Sequence, residues 1–86
     1  MKKEVRELIG LALLVEEISD YDVFIHYAGH VDTLEIRIDR SEENGGERIF
    51  KSEFKVDNPN RKYAGYSTYA EAKEFLDKCI ADSTAI

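Results

Sequence analysis

Near the amino terminus, apolar residues recur at three- and four-residue spacing through Val5, Leu8, Leu11, Ala12, Val15 and Ile18, with Ile9, Leu13 and Leu14 widening the stripe. That period predicts a helix from Met1 to about Ser19. Gly10 falls inside it, at a cost of about 1 kcal/mol against Ala, and is expected to mark a close approach to another element. The period then drops to two. Val23 to Ala28, Leu34 to Asp39 and Arg48 to Val56 alternate β-branched or aromatic residues with polar ones, which predicts three strands of an antiparallel meander. Glu43-Asn44-Gly45-Gly46 marks the second hairpin, because Asn and Gly tolerate the positive φ of a tight turn; the first turns near Ala28-Gly29-His30. Asn58-Pro59-Asn60-Arg61-Lys62 has turn residues and no period, and reads as a loop running to Gly65 or Tyr66. A second helix opens at Ser67 or Thr68, where Thr68-x-x-Glu71 fits a capping box. Its apolar stripe is Tyr69, Ala72, Phe75, Leu76, Cys79 and Ile80, which assigns the lone cysteine to the core.

The expected fold is therefore α+β, in the order α-β-β-β-α. Residues 1–86 form a single domain: a three-stranded antiparallel meander with two helices packed on one face. That face carries Ile25, Tyr27, Leu34, Ile36, Ile38, Phe50, Phe54 and Val56. The open face carries Phe24, His26, Glu35, Arg37, Lys51, Glu53 and Lys55, a mixture of signs suited to cross-strand pairing.

Composition narrows the function. With 86 residues, 43% hydrophobic and 35% charged, the chain has a core too small to enclose a large cofactor, so no cofactor is expected. The longest near-apolar run, Leu8 to Val15, is far short of the roughly 20 residues that span a bilayer, and no signal-peptide cleavage pattern follows it. A lone cysteine provides no disulfide framework, so a reducing cytoplasm is the expected compartment. The net charge is −6. No Lys or Arg occurs between Arg6 and Arg37, whereas Glu7, Glu16, Glu17, Asp20, Asp22, Asp32 and Glu35 all fall there. Glu16, Glu17 and Asp20 stand at the carboxyl end of the first helix, where the helix dipole disfavours acids by about 0.3–1 kcal/mol. Stability does not call for them there. They form, with Asp22, a candidate acidic patch that steers a basic partner protein.

Catalytic chemistry has little support. His26, His30 and Asp32 are the one cluster with conceivable metal-ligand chemistry, without a Cys pair or a helical His-x-x-x-His, and no metal site is expected. Ser41, Ser52, Ser67 and Ser83 lie in no nucleophile motif, and Gly45-Gly46 lacks the lysine and helix of a phosphate loop. The chain is read as a non-enzyme. Tyr63 and Tyr66 beside Arg61 and Lys62, with Phe24 and His26, are a candidate secondary contact surface.

Two resemblances bear on this. The element order, with Ala28-Gly29-His30 in the first turn, resembles double-stranded RNA-binding domains. Where that family places a basic Lys-Lys-x-Ala-Lys run, this chain has Ser67-Thr68-Tyr69-Ala70-Glu71-Ala72-Lys73, so direct nucleic-acid binding is not expected. More specifically, Tyr27-Ala28-Gly29-His30-Val31-Asp32 followed by Leu34-Glu35-Ile36-Arg37-Ile38, within residues 21–39, resembles small uncharacterised bacteriophage proteins of Gram-positive hosts. That likeness implies a phage accessory protein in a bacterial cytoplasm. Small acidic phage proteins of this general architecture include anti-CRISPR inhibitors. The expectation is a non-catalytic binding protein that inhibits a basic host or defence protein through Glu16, Glu17, Asp20 and Asp22. The alternatives are a self-assembling interaction module that uses the open sheet face, as a homodimer through Phe24, His26 and their neighbours, and a nucleic-acid-binding domain through Arg40, Arg48, Lys55, Arg61 and Lys62.

Overall fold

The computed structural model describes residues 3–84. Helix α1 (Lys3–Ile18), strands β1 (Tyr21–Ala28), β2 (Thr33–Arg40) and β3 (Arg48–Lys55), and helix α2 (Tyr69–Thr84) follow in that order. This is the α-β-β-β-α fold that the hydrophobic periods predict. The predicted start at Met1 lies outside the described residues. The strands form one antiparallel sheet, β1-β2-β3, with Tyr21 opposite Arg40, Ala28 opposite Thr33, and Thr33 opposite Lys55; a bulge interrupts β2–β3 between Ile38 and Asp39.

Val5, Leu8, Ala12 and Val15 from α1 and Ala72, Leu76 and Cys79 from α2 meet Leu34, Ile36, Ile38, Phe54 and Val56 in one buried cluster. Phe75 stacks on Phe50 at 4.1 Å between centroids, and Tyr69 meets Phe54 edge-on at 6.3 Å. Ile18 and Cys79 line one surface concavity while Glu4 and Tyr69 line another, so the two helices run side by side in the same direction. Leu13 and Leu14 are exposed, leaving a stripe narrower than the sequence pattern suggested. Gly10 is also exposed. A Cβ built there meets nothing within 4 Å, so no close approach explains that glycine.

The connections are more structured than the turn signals implied. The first contains a 3₁₀ turn at Gly29–Val31, and Asp32 takes the left-handed conformation (φ 53°). The second is a 3₁₀ turn at Glu42–Asn44, after which Gly45 (φ 108°) and Gly46 (φ 66°) supply the positive φ and Asn44 does not. Asn58–Asn60 caps α2. Pro59 C=O accepts from Tyr69 N–H, Asn60 Oδ1 from Ala70 N–H and Thr68 Oγ1 from Glu71 N–H, so the free amides at the helix start find partners. The Glu71 carboxylate pairs with Lys62 at 3.6 Å.

Ser52 breaks the apolar pattern. It lies on the covered face opposite Ile36, fully buried, and among the described residues its hydroxyl has no hydrogen-bond partner. An unpaired buried donor costs about 1–3 kcal/mol, and Ser52→Ala removes it while leaving a void of one oxygen. The expected result is a rise in unfolding free energy of about 1 kcal/mol, read in urea as a higher midpoint at unchanged slope. A lower midpoint would show that the hydroxyl is satisfied.

Candidate functional site

The acidic residues singled out by the sequence come together at one end of the molecule. Glu16 and Glu17 are exposed on the last turn of α1, and Asp20 follows in the short connection to β1. Ser19 shapes this corner: its hydroxyl donates to Val15 C=O and accepts from Tyr21 N–H, turning the chain from helix into strand. Because Tyr21 pairs with Arg40, the β2–β3 connection arrives at the same end. It brings Glu42 and Glu43. Asp20, Asp22, Glu42 and Glu43 thus line a concavity of about 450 Å³ together with Ser41 and Asn44. A neighbouring concavity of about 500 Å³ adds Asp82 from the end of α2.

Glu42 and Glu43 were not candidates from sequence, although the hairpin register was enough to place them here. Among the described residues, none of Glu16, Glu17, Asp20, Asp22, Glu42 and Glu43 makes an ion pair. The carboxylates elsewhere mostly do: Glu7 with Lys3, Asp39 with Arg37, Glu47 with Arg40, Glu35 and Glu53 with Lys51, Glu71 with Lys62, and Asp77 with Lys73. Unneutralised negative charge is concentrated at this end.

The four residues of the secondary contact surface are not brought together. Phe24 and His26 lie on β1, with Arg37 stacked over the Phe24 ring at 4.2 Å. Tyr63 and Tyr66 lie beyond β3, edge-to-face with each other at 6.3 Å, with Arg61 over Tyr63 and Lys55 over Tyr66. They occupy opposite edges of the sheet. The open face between is largely self-neutralised by the Arg37–Asp39 and Lys51–Glu35/Glu53 pairs. Arg37 Nε stands 3.4 Å from Asp39 Oδ2 but is not aligned for a hydrogen bond.

Most of the basic residues between Arg37 and Lys62 are similarly engaged. Arg40 is 2.6 Å from Glu47, and Lys55 donates to Val31 C=O at 2.7 Å. Asp32 is a structural residue. Its carboxylate accepts from Asp57 N–H at 2.8 Å and from the Tyr27 hydroxyl at 3.4 Å, and no group of three or more His, Cys, Asp or Glu among the described residues is placed to hold a metal ion. Partial desolvation, then the charges of Asp32 and Asp57, hold the Tyr27 phenol above its usual pKa, so it stays a donor. Burial, aided by Asp82, likewise pushes the Cys79 thiol up and away from the reactive thiolate. Among the described residues no helix is long and apolar enough to cross a membrane. No family model, curated protein or solved structure matches this chain.

Proposed function

We propose that this is a non-catalytic, phage-encoded binding protein of the bacterial cytoplasm that inhibits a basic host or defence protein, of the kind that itself binds nucleic acid. The observation that carries the reading is the convergence of Asp20 and Asp22 with Glu42 and Glu43 around one concavity, beside Glu16 and Glu17, without an ion pair for any of them among the described residues. Unneutralised charges of one sign at one end raise the encounter rate with an oppositely charged surface and disfavour nucleic acid itself. The likeness of residues 21–39 to phage proteins supports the origin.

The test is capture of partners from a Gram-positive host lysate on the immobilised protein, with and without nuclease. A nuclease-resistant basic protein is expected. Reversing Glu16, Glu17, Asp20 and Asp22 to Lys should weaken its binding by about tenfold or more, and Glu42→Lys with Glu43→Lys should do so independently. A folded variant of either kind that binds the partner as tightly as the parent would sink the assignment.

A further inference from the structure

The sheet has two edges, and they differ. At the two ends of β2, Arg40 N–H donates to Glu47 C=O at 2.8 Å and Asp32 C=O, just before the strand, accepts from Val56 N–H at 2.9 Å, so the even-numbered residues direct their backbone groups toward β3. The odd-numbered residues Thr33 to Asp39 therefore face β1. Their opposite numbers Ala28, His26, Phe24 and Asp22 complete the β1–β2 ladder, and the backbone groups of Tyr21, Val23, Ile25 and Tyr27 point outward. Tyr21 N–H confirms the direction by bonding Ser19 Oγ at 3.2 Å. Among the described residues, no backbone bond joins β1 to any element other than β2.

Natural sheets blunt such edges with charge, proline, bulges or a covering segment. β3 is treated that way: Ser67 N–H bonds Glu53 C=O at 2.8 Å along its outer side, the strand bears Arg48, Lys51 and Lys55, and a bulge lies beside it. β1 has one charge, Asp22 near its start, and among the described residues no proline, bulge or covering backbone bond protects it. Its sequence, Tyr21-Asp22-Val23-Phe24-Ile25-His26-Tyr27-Ala28, lacks Lys, Arg, Pro and Gly, and both Phe24 (46%) and Tyr27 (45%) are exposed.

We propose that β1 is a homodimer interface, at which a second copy of this chain adds its own β1 antiparallel about a two-fold axis through Phe24, giving one continuous six-stranded sheet. A two-fold axis normal to the sheet sets residues of the same face opposite one another, so outward-pointing groups meet outward-pointing groups. Charge selects the register. Within its own sheet Asp22 lies opposite another acid, Asp39. Centring on Phe24 puts the second copy's His26, a hydrogen-bond donor in either protonation state, opposite Asp22. It also sets Val23 against the second copy's Ile25, where backbone bonds are exchanged, and Phe24 against itself in a close non-hydrogen-bonded pair. A Val23-centred register shortens the pairing to residues 21–25, and an Ile25-centred one leaves Asp22 facing Ala28.

The covered face agrees. α1 packs against β1. Ile18 shares a concavity with Cys79, so that flank of α1 faces α2; Leu13, half exposed, lies on the other flank with Ile9 and faces the β1 side. The same axis brings the two Leu13 flanks together. Glu42 and Glu43 stand outside this contact, whereas Glu16 and Glu17, three and four residues on from Leu13, border it.

Sedimentation of the full chain from micromolar to millimolar concentration tests the proposal, with amide exchange followed in the same samples. The mass should approach twice the 9.9 kDa of one chain, and the amides of Val23, Ile25 and Tyr27 should slow with concentration while those of Phe24 and His26 do not change. His26→Asp, at an exposed position, sets acid against Asp22 twice over and should weaken association about tenfold. A single-chain mass throughout would overturn the proposal. A dimer with fast exchange at those three amides, or one unaffected by His26→Asp in a folded variant, would do the same, because the copies would then meet elsewhere.

Discussion

Phe54→Ala is expected to lower the unfolding free energy by about 3–5 kcal/mol, the usual cost of truncating a buried aromatic residue. Phe54 is fully buried on the covered face opposite Leu34, and its ring meets Tyr69 in the first turn of α2. The void therefore opens where β3, β2 and the start of α2 converge, and little can collapse into it. A domain of this length has total stability on the order of 4–13 kcal/mol, so the variant should be largely unfolded at moderate urea where the parent is native. Phe24→Ala is the control. Within one chain that ring is half exposed and stacks on Arg37, so at concentrations where the chain is a single copy its loss should cost under about 1 kcal/mol. Equal losses at the two positions would mean that the core is not centred where the burial places it.

The second large effect is expected at Asp32, for a reason that burial does not reveal. Its backbone is left-handed, its C=O accepts from Val56 N–H, and its carboxylate accepts from Asp57 N–H, so one residue ties the first hairpin to the end of β3. Asp32→Ala removes a charge-assisted bond and puts a poorly suited residue at positive φ, at an expected cost of about 2–3 kcal/mol. Asp32→Asn keeps both the conformation and an acceptor and should cost under about 1 kcal/mol. Asp32→Gly relieves the backbone but loses the bond, so it belongs between the two. Urea denaturation of the three variants checks the order. If Ala proved as stable as Asn, the carboxylate would contribute nothing.

Asp32 also shows where sequence reading stops. The two hydrophobic periods were legible because burial is periodic, and they placed Val5, Leu8, Ala12, Val15 and the inward residues of β2 correctly. Asp32 belongs to no period. In sequence it is one acid of the lysine- and arginine-free stretch and a neighbour of His26 and His30, and its real partner, Asp57 N–H, is 25 positions along the chain. Leu13 and Leu14 fit the helical stripe in sequence because Leu11 to Val15 is an unbroken apolar run that satisfies any stripe, whereas a sheet covers one side of a helix only. The acidic end was half visible. A gap in basic residues from Arg6 to Arg37 marks Glu16, Glu17, Asp20 and Asp22, but Glu42 and Glu43 join them only through the pairing of Tyr21 with Arg40. Ser52 could not be recognised as an unsatisfied group, because its hydroxyl's lack of a partner is a property of packing.

The parallel course of α1 and α2 has an electrical consequence. In the antiparallel helix pairs common in bundles the peptide moments cancel, but here they add, so each carboxyl end contributes about half an elementary negative charge to the end that holds Asp20, Asp22 and Asp82. The amino ends lie together near Asn58 to Asn60, beside the loop bearing Arg61 and Lys62. A single copy is thereby a permanent dipole whose backbone and side chains are aligned in the same sense, whereas in the two-fold dimer the two moments oppose one another. A cationic surface approaching a single copy in solution exerts a torque on it, turning the acidic end forward before any side chain touches.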